Sequence, residues 1–234
     1  MISFTDLTLS YDRQPAVHHL SGKIRRGALM ALVGPNGAGK TTLIRAIAGD
    51  GITAEGTLRV GTKRIGWLPQ RAEIDRNFPI DVRGFVAMGL WAKAGAFGAI
   101  GGTARIEEAL ETVGLPGFGR RPLTALSGGQ MQRVLFARLM LQDADLCLLD
   151  EPFAAVDSRT TEDLMALIQN WHAEGRTIVA VMHDLDLVRR GFPEALLIAR
   201  EKIAQGPARD VLSEDNLARA RRVLAHDEAM RSAA

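Results

Sequence analysis

The sequence predicts an α/β fold with an inserted helical segment, and three observations support this prediction. Strand-like and helical patterns alternate in the first and last thirds of the chain, which is typical of a sheet flanked by helices. The runs DLCLLD (145–150) and TIVAVMH (177–183) are short and β-rich, as expected of buried parallel strands. From about residue 71 to residue 141 the pattern changes to helices interrupted by glycine. We therefore expect one domain, with its core in 1–70 and 142–234 and a helical subdomain in 71–141.

Strands and turns of the N-terminal part follow from the same periodicity. ISFTDLTLSY alternates apolar and polar residues, which predicts a strand with four core side chains, Ile2, Phe4, Leu7 and Leu9. RRGALMALVG reads as a turn followed by a buried strand. EGTLRVGTKRIGWLPQ is expected to form a hairpin that turns near Gly61.

Helices are indicated by capping residues as well as by period. TTLIRAIAG predicts a short helix that stops at Gly49. TARIEEALETV (103–113) places Ile106, Ala109, Leu110 and Val113 on one face, with Thr103 as the expected cap and Gly114 as the stop. TTEDLMALIQNWHAEG is also helical in period.

Composition limits the class of protein. The 234 residues are 47% hydrophobic and 24% charged, which is typical of a soluble globular domain. A formal net charge of +2, with only short basic clusters at 120–121 and 219–222, argues against a nucleic-acid partner. The single cysteine, Cys147, cannot form a disulfide within the chain, which fits a reducing compartment. The N-terminus lacks the features of a secretory signal, and no apolar run approaches the about 20 residues that a membrane span needs.

The first functional motif is GPNGAGKTT (34–42), which matches G-x-x-x-x-G-K-[ST] at Gly34, Gly39, Lys40 and Thr41. Glycines let several backbone N–H groups face one point at the start of the next helix, where its dipole favours an anion. Lys40 is expected to contact the β and γ phosphates of a nucleotide, and the Thr41 hydroxyl is expected to bind Mg²⁺. The alternative is a glycine-rich turn with a chance lysine, which the position between a predicted strand and a predicted helix disfavours.

A second anion-binding helix start is indicated by LSGGQMQRVLFARLML, which begins at Leu126. Ser127 can cap the helix, while Gly128 and Gly129 expose backbone N–H groups at its start. One nucleotide does not need two such sites in a single subunit. The pair makes sense if one subunit holds the phosphates and another subunit's LSGGQ closes over them; a plain helix with a Gly-Gly entry is the alternative.

The third motif, DLCLLDEP (145–152), predicts a buried strand that ends in Asp150 and Glu151. Ligands of open α/β sheets bind beyond the carboxyl ends of the strands. Asp150 is then placed to bind Mg²⁺, commonly through water, and Glu151 to orient and polarise an attacking water. His183 follows the strand TIVAVM and is expected at the same sheet edge, where it can bond the γ phosphate. A surface acidic pair and a structural histidine are the alternatives.

With these motifs, the chain resembles the ATP-binding subunit of an ABC transporter over nearly all of its length. The resemblance implies a P-loop NTPase core sheet, an N-terminal antiparallel β subdomain and an inserted helical subdomain. It assigns the Walker A loop to Gly34, Pro35, Asn36, Gly37, Ala38, Gly39, Lys40, Thr41 and Thr42. It assigns the signature motif to Leu126, Ser127, Gly128, Gly129 and Gln130.

The remaining family positions are single residues. Gln70 in WLPQ matches the glutamine loop that senses Mg²⁺ and the attacking water. Asp150 and Glu151 match Walker B and the catalytic glutamate. The remaining matches are the aspartate of the dimer-contacting loop, the switch histidine and the aromatic residue that stacks on adenine: Asp157, His183 and Tyr11. An aromatic residue at a strand end can also be simple packing, so both roles stay open for Tyr11.

The resemblance also implies a mechanism and partners. Two ATP molecules, each with Mg²⁺, are expected at the interface of a head-to-tail homodimer that ATP closes and hydrolysis releases. The helical insertion after Gln70 is expected to contact integral-membrane permease subunits, which would hold the protein peripherally at the cytoplasmic face of the inner (plasma) membrane. NFPIDVRGFVAMGLW (77–91) is the apolar part of this insertion, and four of its residues are expected both in the subdomain core and at the contact: Val82, Phe85, Val86 and Gly89.

Cargo is indicated by three further stretches, FPIDVRGFVAMG, DEPFAAVD and IAQGPARDVLSEDNLARA. Together they resemble the ATPases of zinc or manganese importers, and we favour zinc. An extracytoplasmic metal-binding protein is then an indirect partner. The alternatives are an importer ATPase for iron-siderophore or haem and a soluble ABC ATPase without a transport role. A catalytically inactive subunit is disfavoured because Glu151 and His183 are both present.

Overall fold

A computed structural model describes residues 1–11, 14–70, 75–76, 78–91, 102–154 and 156–232, with the side chains of 11, 14 and 228–232 excepted. The chain forms two compact units. Residues 1–63 and 175–234 form one unit, and residues 64–174 form the other.

The first unit contains a three-stranded antiparallel sheet. Its strands are β1 (Ile2–Tyr11), β2 (Gln14–Ile24) and β4 (Thr53–Val60), in the order β2-β1-β4. The predicted core residues of β1 are all buried, which confirms the alternation: Ile2, Phe4, Leu7 and Leu9. Phe4 and Leu7 are three positions apart, whereas side chains on one face of a regular strand are two apart. The register shifts between them and Asp6 has a φ of 48°, so a bulge at this point keeps both apolar side chains on the same face.

Four more strands of this unit form a second sheet segment, in which β3 (Leu29–Val33) is parallel to β7 (Thr177–Val181) and to β8 (Glu194–Ala199). Strand β9 (Glu201–Pro207) continues β8 as an antiparallel neighbour. Strands β3 and β7 are buried throughout, as a parallel strand covered on both faces should be.

The helices of the first unit are α1 (Lys40–Ala48), α6 (Leu185–Gly191), α7 (Ala208–Val211) and α8 (Glu214–Ser232). Helix α1 ends as predicted, because Gly49 adopts the left-handed conformation that closes the last turn.

The second unit combines a parallel strand pair, β5 (Ile65–Leu68) and β6 (Leu146–Asp150), with helices. Its α-helices are α2 (Val82–Ala87), α3 (Thr103–Thr112), α4 (Gly128–Leu141) and α5 (Ser158–Ala173). Short 3₁₀ turns lie at Met88–Leu90, Phe118–Arg120 and Leu123–Ala125. Among the helices of the described part, none is long and apolar enough to cross a membrane.

The predicted hairpin around Gly61 is wrong. Strand β4 pairs with β1, opposite Ile2 at Val60, whereas β5 pairs in parallel with β6. The Gly61 N–H donates to the Met1 carbonyl at 2.7 Å, so the chain stays on β1 beyond the end of β4 instead of turning back. Strand β5 also packs closely at Gly66, where an added Cβ would lie 2.6 Å from Leu139 Cδ1 and 2.9 Å from the Ala144 Cβ.

The start of α3 also differs from the prediction. Gly102 is the capping residue and makes no side-chain bond, so Thr103 is the first helical residue and not the cap. The predicted apolar face is confirmed, since Ile106, Ala109, Leu110 and Val113 are all buried. Gly114 follows with a φ of +74°, which fits the predicted stop.

Candidate functional site

The glycine-rich loop joins β3 to α1, and two of its glycines have no room for a side chain. A Cβ at Gly34 would lie 2.1 Å from the Ile198 carbonyl oxygen, and one at Gly39 would lie 2.6 Å from that of Ala16. Gly39 also has a φ of +89°. The loop therefore keeps its tight course only with glycine at these positions.

Lys40 is the first residue of α1, and its side chain reaches back to the start of the loop. Its side chain is buried, and Nζ donates to the carbonyls of Gly34 at 2.8 Å and Pro35 at 2.9 Å. The cap position of α1 is Gly39, which has no side chain to bond the first N–H groups of the helix. A fixed ammonium beside the N–H groups at a helix start forms a suitable environment for phosphate. Asn36 and Gly37 form the exposed tip, Ala38 is buried, and Thr41 and Thr42 lie half-buried in the first turn of α1.

Helix α4 begins with a capping box at Ser127. The Gln130 N–H donates to Ser127 Oγ at 3.2 Å, and the Ser127 N–H donates to Gln130 Oε1 at 3.0 Å. The predicted cap is confirmed. Because Ser127 Oγ accepts in this bond, its own hydrogen remains available for an anion, next to the backbone N–H groups of Gly128 and Gly129.

The two carboxylates lie where β6 ends. Asp150 is the last residue of the strand and is buried, whereas Glu151 is half-buried. Glu151 has a φ of +51°, which a non-glycine residue rarely adopts outside sites where the surrounding structure imposes it. A turn follows, in which the Ala154 N–H donates to the Glu151 carbonyl at 3.1 Å. The chain therefore reverses directly after the acidic pair.

Asp157 caps helix α5. Its Oδ1 accepts the Thr160 N–H at 2.8 Å, and its Oδ2 accepts the Thr160 hydroxyl at 2.9 Å. These bonds, first the backbone one and then the hydroxyl one, lower the pKa of Asp157 below its usual value, and Arg133 adds to the effect. Asp157 Oδ2 also lies 4.0 Å from where a Cβ on Gly129 would be, so the carboxylate faces the signature motif.

Gln70 and His183 each follow the end of a strand. Gln70 lies two residues after β5 and is half-buried, and His183 lies two residues after β7 and is exposed. Tyr11 ends β1, but its side chain lies outside the described part of the chain.

The candidate residues divide between the two units. The first unit holds the loop 34–42, His183 and the end of β1, and the second holds Gln70, 126–130, Asp150, Glu151 and Asp157. In the second unit, the signature motif and Asp157 are brought together. The sequence did not single out three residues that bond in this region: Gln132 donates to the Pro152 carbonyl, Arg133 to the Thr160 hydroxyl and Thr160 to Asp157. The available signal was the polar pair Gln132-Arg133 directly before the apolar run VLFARLML.

Backbone donors around a buried lysine, between a buried parallel strand and a helix, define a P-loop nucleoside triphosphatase. The model of the ABC transporter family matches residues 17–154. The chain belongs to this family, which confirms the predicted fold and the prediction of an ABC-type ATPase.

Known proteins agree with this assignment. The chain is 38% identical to the zinc transport system ATP-binding protein TroB of Treponema pallidum, over 94% of this chain and 86% of that protein. It is 35% identical to the manganese transport system ATP-binding protein MntB of Bacillus subtilis, over 92% of this chain and 90% of that protein. The dimeric structure of the bacterial ABC transporter cassette MJ0796 is similar in fold, with a TM-score of 0.78 at 25% identity, covering 89% of this chain and 99% of that one.

Proposed function

We propose that the protein is the ATP-hydrolysing motor subunit of a metal importer, with zinc favoured over manganese as the cargo. The observation that carries the proposal is the 38% identity to a zinc transport ATP-binding protein across 94% of the chain. A similar match to a manganese transport ATP-binding protein supports the class of cargo.

Roles of the nucleotide-binding residues follow from their chemistry. We assign the phosphates to the loop 34–42 with Lys40, the adenine to Tyr11, the γ phosphate to His183 and the orientation of the attacking water to Glu151. The half-buried amide of Gln70 is assigned to the sensing of that water and of the metal ion.

Mg²⁺ fits the proposed site because its donors are oxygens. The Thr41 hydroxyl, the Gln70 amide and the Asp150 carboxylate are the hard ligands that Mg²⁺ prefers. Within the described ranges, no group of three or more His, Cys, Asp or Glu side chains could hold a metal ion by itself. When bound with ATP, Mg²⁺ would neutralise charge on the phosphates.

The dimer follows from the second anion site. We assign the Ser127 hydroxyl, the Gly128 and Gly129 N–H groups and Gln130 to the phosphates held by a partner copy, with Asp157 at the interface. The free hydrogen of the Ser127 hydroxyl supports this role. Since each ATP then contacts both copies, ATP binding favours the closed dimer.

Permease contact is assigned to the helical subdomain, 71–141, inserted in a core of 1–70 and 142–234. Four residues are buried and pack in the interior of the second unit: Val82, Phe85, Val86 and Gly89.

The large apolar side chains exposed in the described part are Phe78, 60% exposed, and Trp91, 46% exposed. Phe78 borders a cleft of about 300 Å³ with Ile80, Arg120 and Leu123. This surface is the proposed contact that holds the protein at the cytoplasmic face of the membrane, while a metal-binding protein delivers cargo to the permease outside.

The first experiment tests the motor. Glu151→Gln removes the proposed base while keeping the shape of the side chain, so turnover is expected to fall at least about 100-fold. ATP binding should remain, and size-exclusion chromatography with Mg-ATP should show a trapped dimer. Glu162→Gln, at an exposed carboxylate on α5, is the matched control and should behave like the wild type. A Glu151→Gln protein that stays monomeric and hydrolyses ATP at the normal rate would refute the proposal.

The second experiment tests the cargo. A strain that lacks the gene is grown in chelator, and zinc, manganese or iron is added back. Rescue at the lowest concentration by zinc is expected. Rescue by manganese would change the metal within the same class, rescue by iron alone would favour the siderophore or haem alternative, and growth that no metal affects would favour a soluble ABC ATPase.

A further inference from the structure

The segment between β6 and α5, which carries Glu151 and Asp157, is fastened to α4 near its beginning. Gln132 lies in α4, is 1% exposed and donates from Nε2 to the Pro152 carbonyl at 2.7 Å. Pro152 directly follows the acidic pair. The helix that starts with the signature motif therefore holds the first residue after Glu151.

The same segment is fastened again at its other end, by the next residue of α4. Arg133 donates from Nη2 to Thr160 Oγ1 at 3.1 Å and to Asp163 Oδ2 at 2.9 Å, and from Nη1 to the Val113 carbonyl at 2.8 Å. Its side chain is 17% exposed. One guanidinium thus joins the first turns of α5 to α4 and to the end of α3.

Thr160 connects Arg133 to Asp157 through hydrogen bonds. Its hydroxyl accepts from Arg133 and has one hydrogen, which it donates to Asp157 Oδ2 at 2.9 Å. Its N–H donates to Oδ1 at 2.8 Å, so both carboxylate oxygens are held. Bonds in such a chain polarise and strengthen one another, the more so because Thr160 is 5% exposed. The chain runs in one direction, from guanidinium through hydroxyl to carboxylate.

We propose that Arg133 and Thr160 are positioning residues that lock Asp157 to the signature helix, so that the signature motif and the dimer-contacting aspartate meet the second copy as one rigid surface. This inference rests on the proposed ATP-closed dimer. A preformed surface avoids the entropy that ordering Asp157 at each closure would require. Arginine suits the task because its planar fork reaches several acceptors at once, which lysine does not.

Thr160→Val tests the lock, because it keeps the shape of the side chain and the backbone bond to Asp157 but removes the hydroxyl. Thr161→Val is the matched control: the Thr161 hydroxyl donates to the Asp157 backbone carbonyl at 3.0 Å and leaves the carboxylate alone. ATPase activity per molecule is measured against protein concentration, together with the Kd of the monomer for ATP. For Thr160→Val, the concentration of half-maximal activity should rise about tenfold, the size of effect expected when roughly one hydrogen bond that positions Asp157 is lost. The plateau and the Kd should stay unchanged, and Thr161→Val should remain within about twofold of the wild type.

Two further variants separate positioning from folding. Thr160→Ser keeps the hydroxyl and should restore the wild-type midpoint. In an Asp157→Ala background, Thr160→Val should add nothing, because it acts through Asp157. If Thr160→Val does not fold, Arg133→Lys is expected to shift the midpoint in the same direction.

Different results would contradict the positioning role of Thr160 and the proposed dimer on which it rests. A wild-type midpoint in Thr160→Val, or an undiminished shift in the Asp157→Ala background, would overturn the lock. Wild-type activity that does not depend on protein concentration, with no dimer in Mg-ATP, would instead overturn the proposed dimer.

Discussion

At the scale of single residues, Ser127 has two proposed roles, helix capping and phosphate contact, that two different substitutions can separate. Its oxygen accepts the Gln130 N–H and stabilises the start of α4, and its hydrogen is proposed to reach the phosphate of a partner copy. Ser127→Ala removes both, whereas Ser127→Gly keeps most of the capping because glycine is tolerated at this position. We expect Ser127→Ala to lower the free energy of unfolding by about 1 kcal/mol and Tm by about 2–4 °C, and Ser127→Gly to change either much less.

Both variants should weaken ATP-driven assembly equally, measured by light scattering in the Glu151→Gln background. If both variants lose assembly equally while Ser127→Ala lowers Tm more than Ser127→Gly does, the hydroxyl is the group that contacts the nucleotide. If Ser127→Gly assembles as the wild type does, the hydroxyl makes no contact with nucleotide.

At the scale of helices and strands, the sequence predicted most of what depends on neighbouring residues. Gly49 ends α1, the apolar face of α3 is buried and Ser127 caps α4, because caps and helical faces are set within one or two turns. The predicted cap of α3 was wrong by one residue, because Gly102 occupies the cap position and makes no side-chain bond there.

Partners distant in sequence were not predictable in the same way. The hairpin at Gly61 failed because two β-rich runs around a glycine look alike whether they pair with each other or with β1 and β6. Likewise, the motif residues of the candidate site have fixed local spacing, whereas the bond from Arg133 to Thr160 spans 27 positions and exists only after α4 and α5 pack.

At the scale of the whole molecule, the chain divides its candidate residues between two compact units, and Lys40 belongs to the first. A ligand that binds only the folded protein stabilises it, by about 2.7 kcal/mol at 100 times Kd. For a chain of this size, that increment corresponds to a rise in Tm of about 5–11 °C. We expect this rise with Mg²⁺ and a non-hydrolysable ATP analogue at 100 times the wild-type Kd, measured by scanning calorimetry, provided that the chain unfolds in one transition.

Lys40→Ala should lose most of the nucleotide-dependent rise, because the ammonium that is proposed to face the β and γ phosphates is gone. Its Tm without nucleotide can also fall, since Nζ bonds the Gly34 and Pro35 carbonyls, so the increment and not the starting value is the test. Lys63→Ala removes the same charge from an exposed position in the same unit and should keep the full increment. A full increment in Lys40→Ala would show that nucleotide binds away from the loop 34–42, and the proposed roles of the residues around it would fail together.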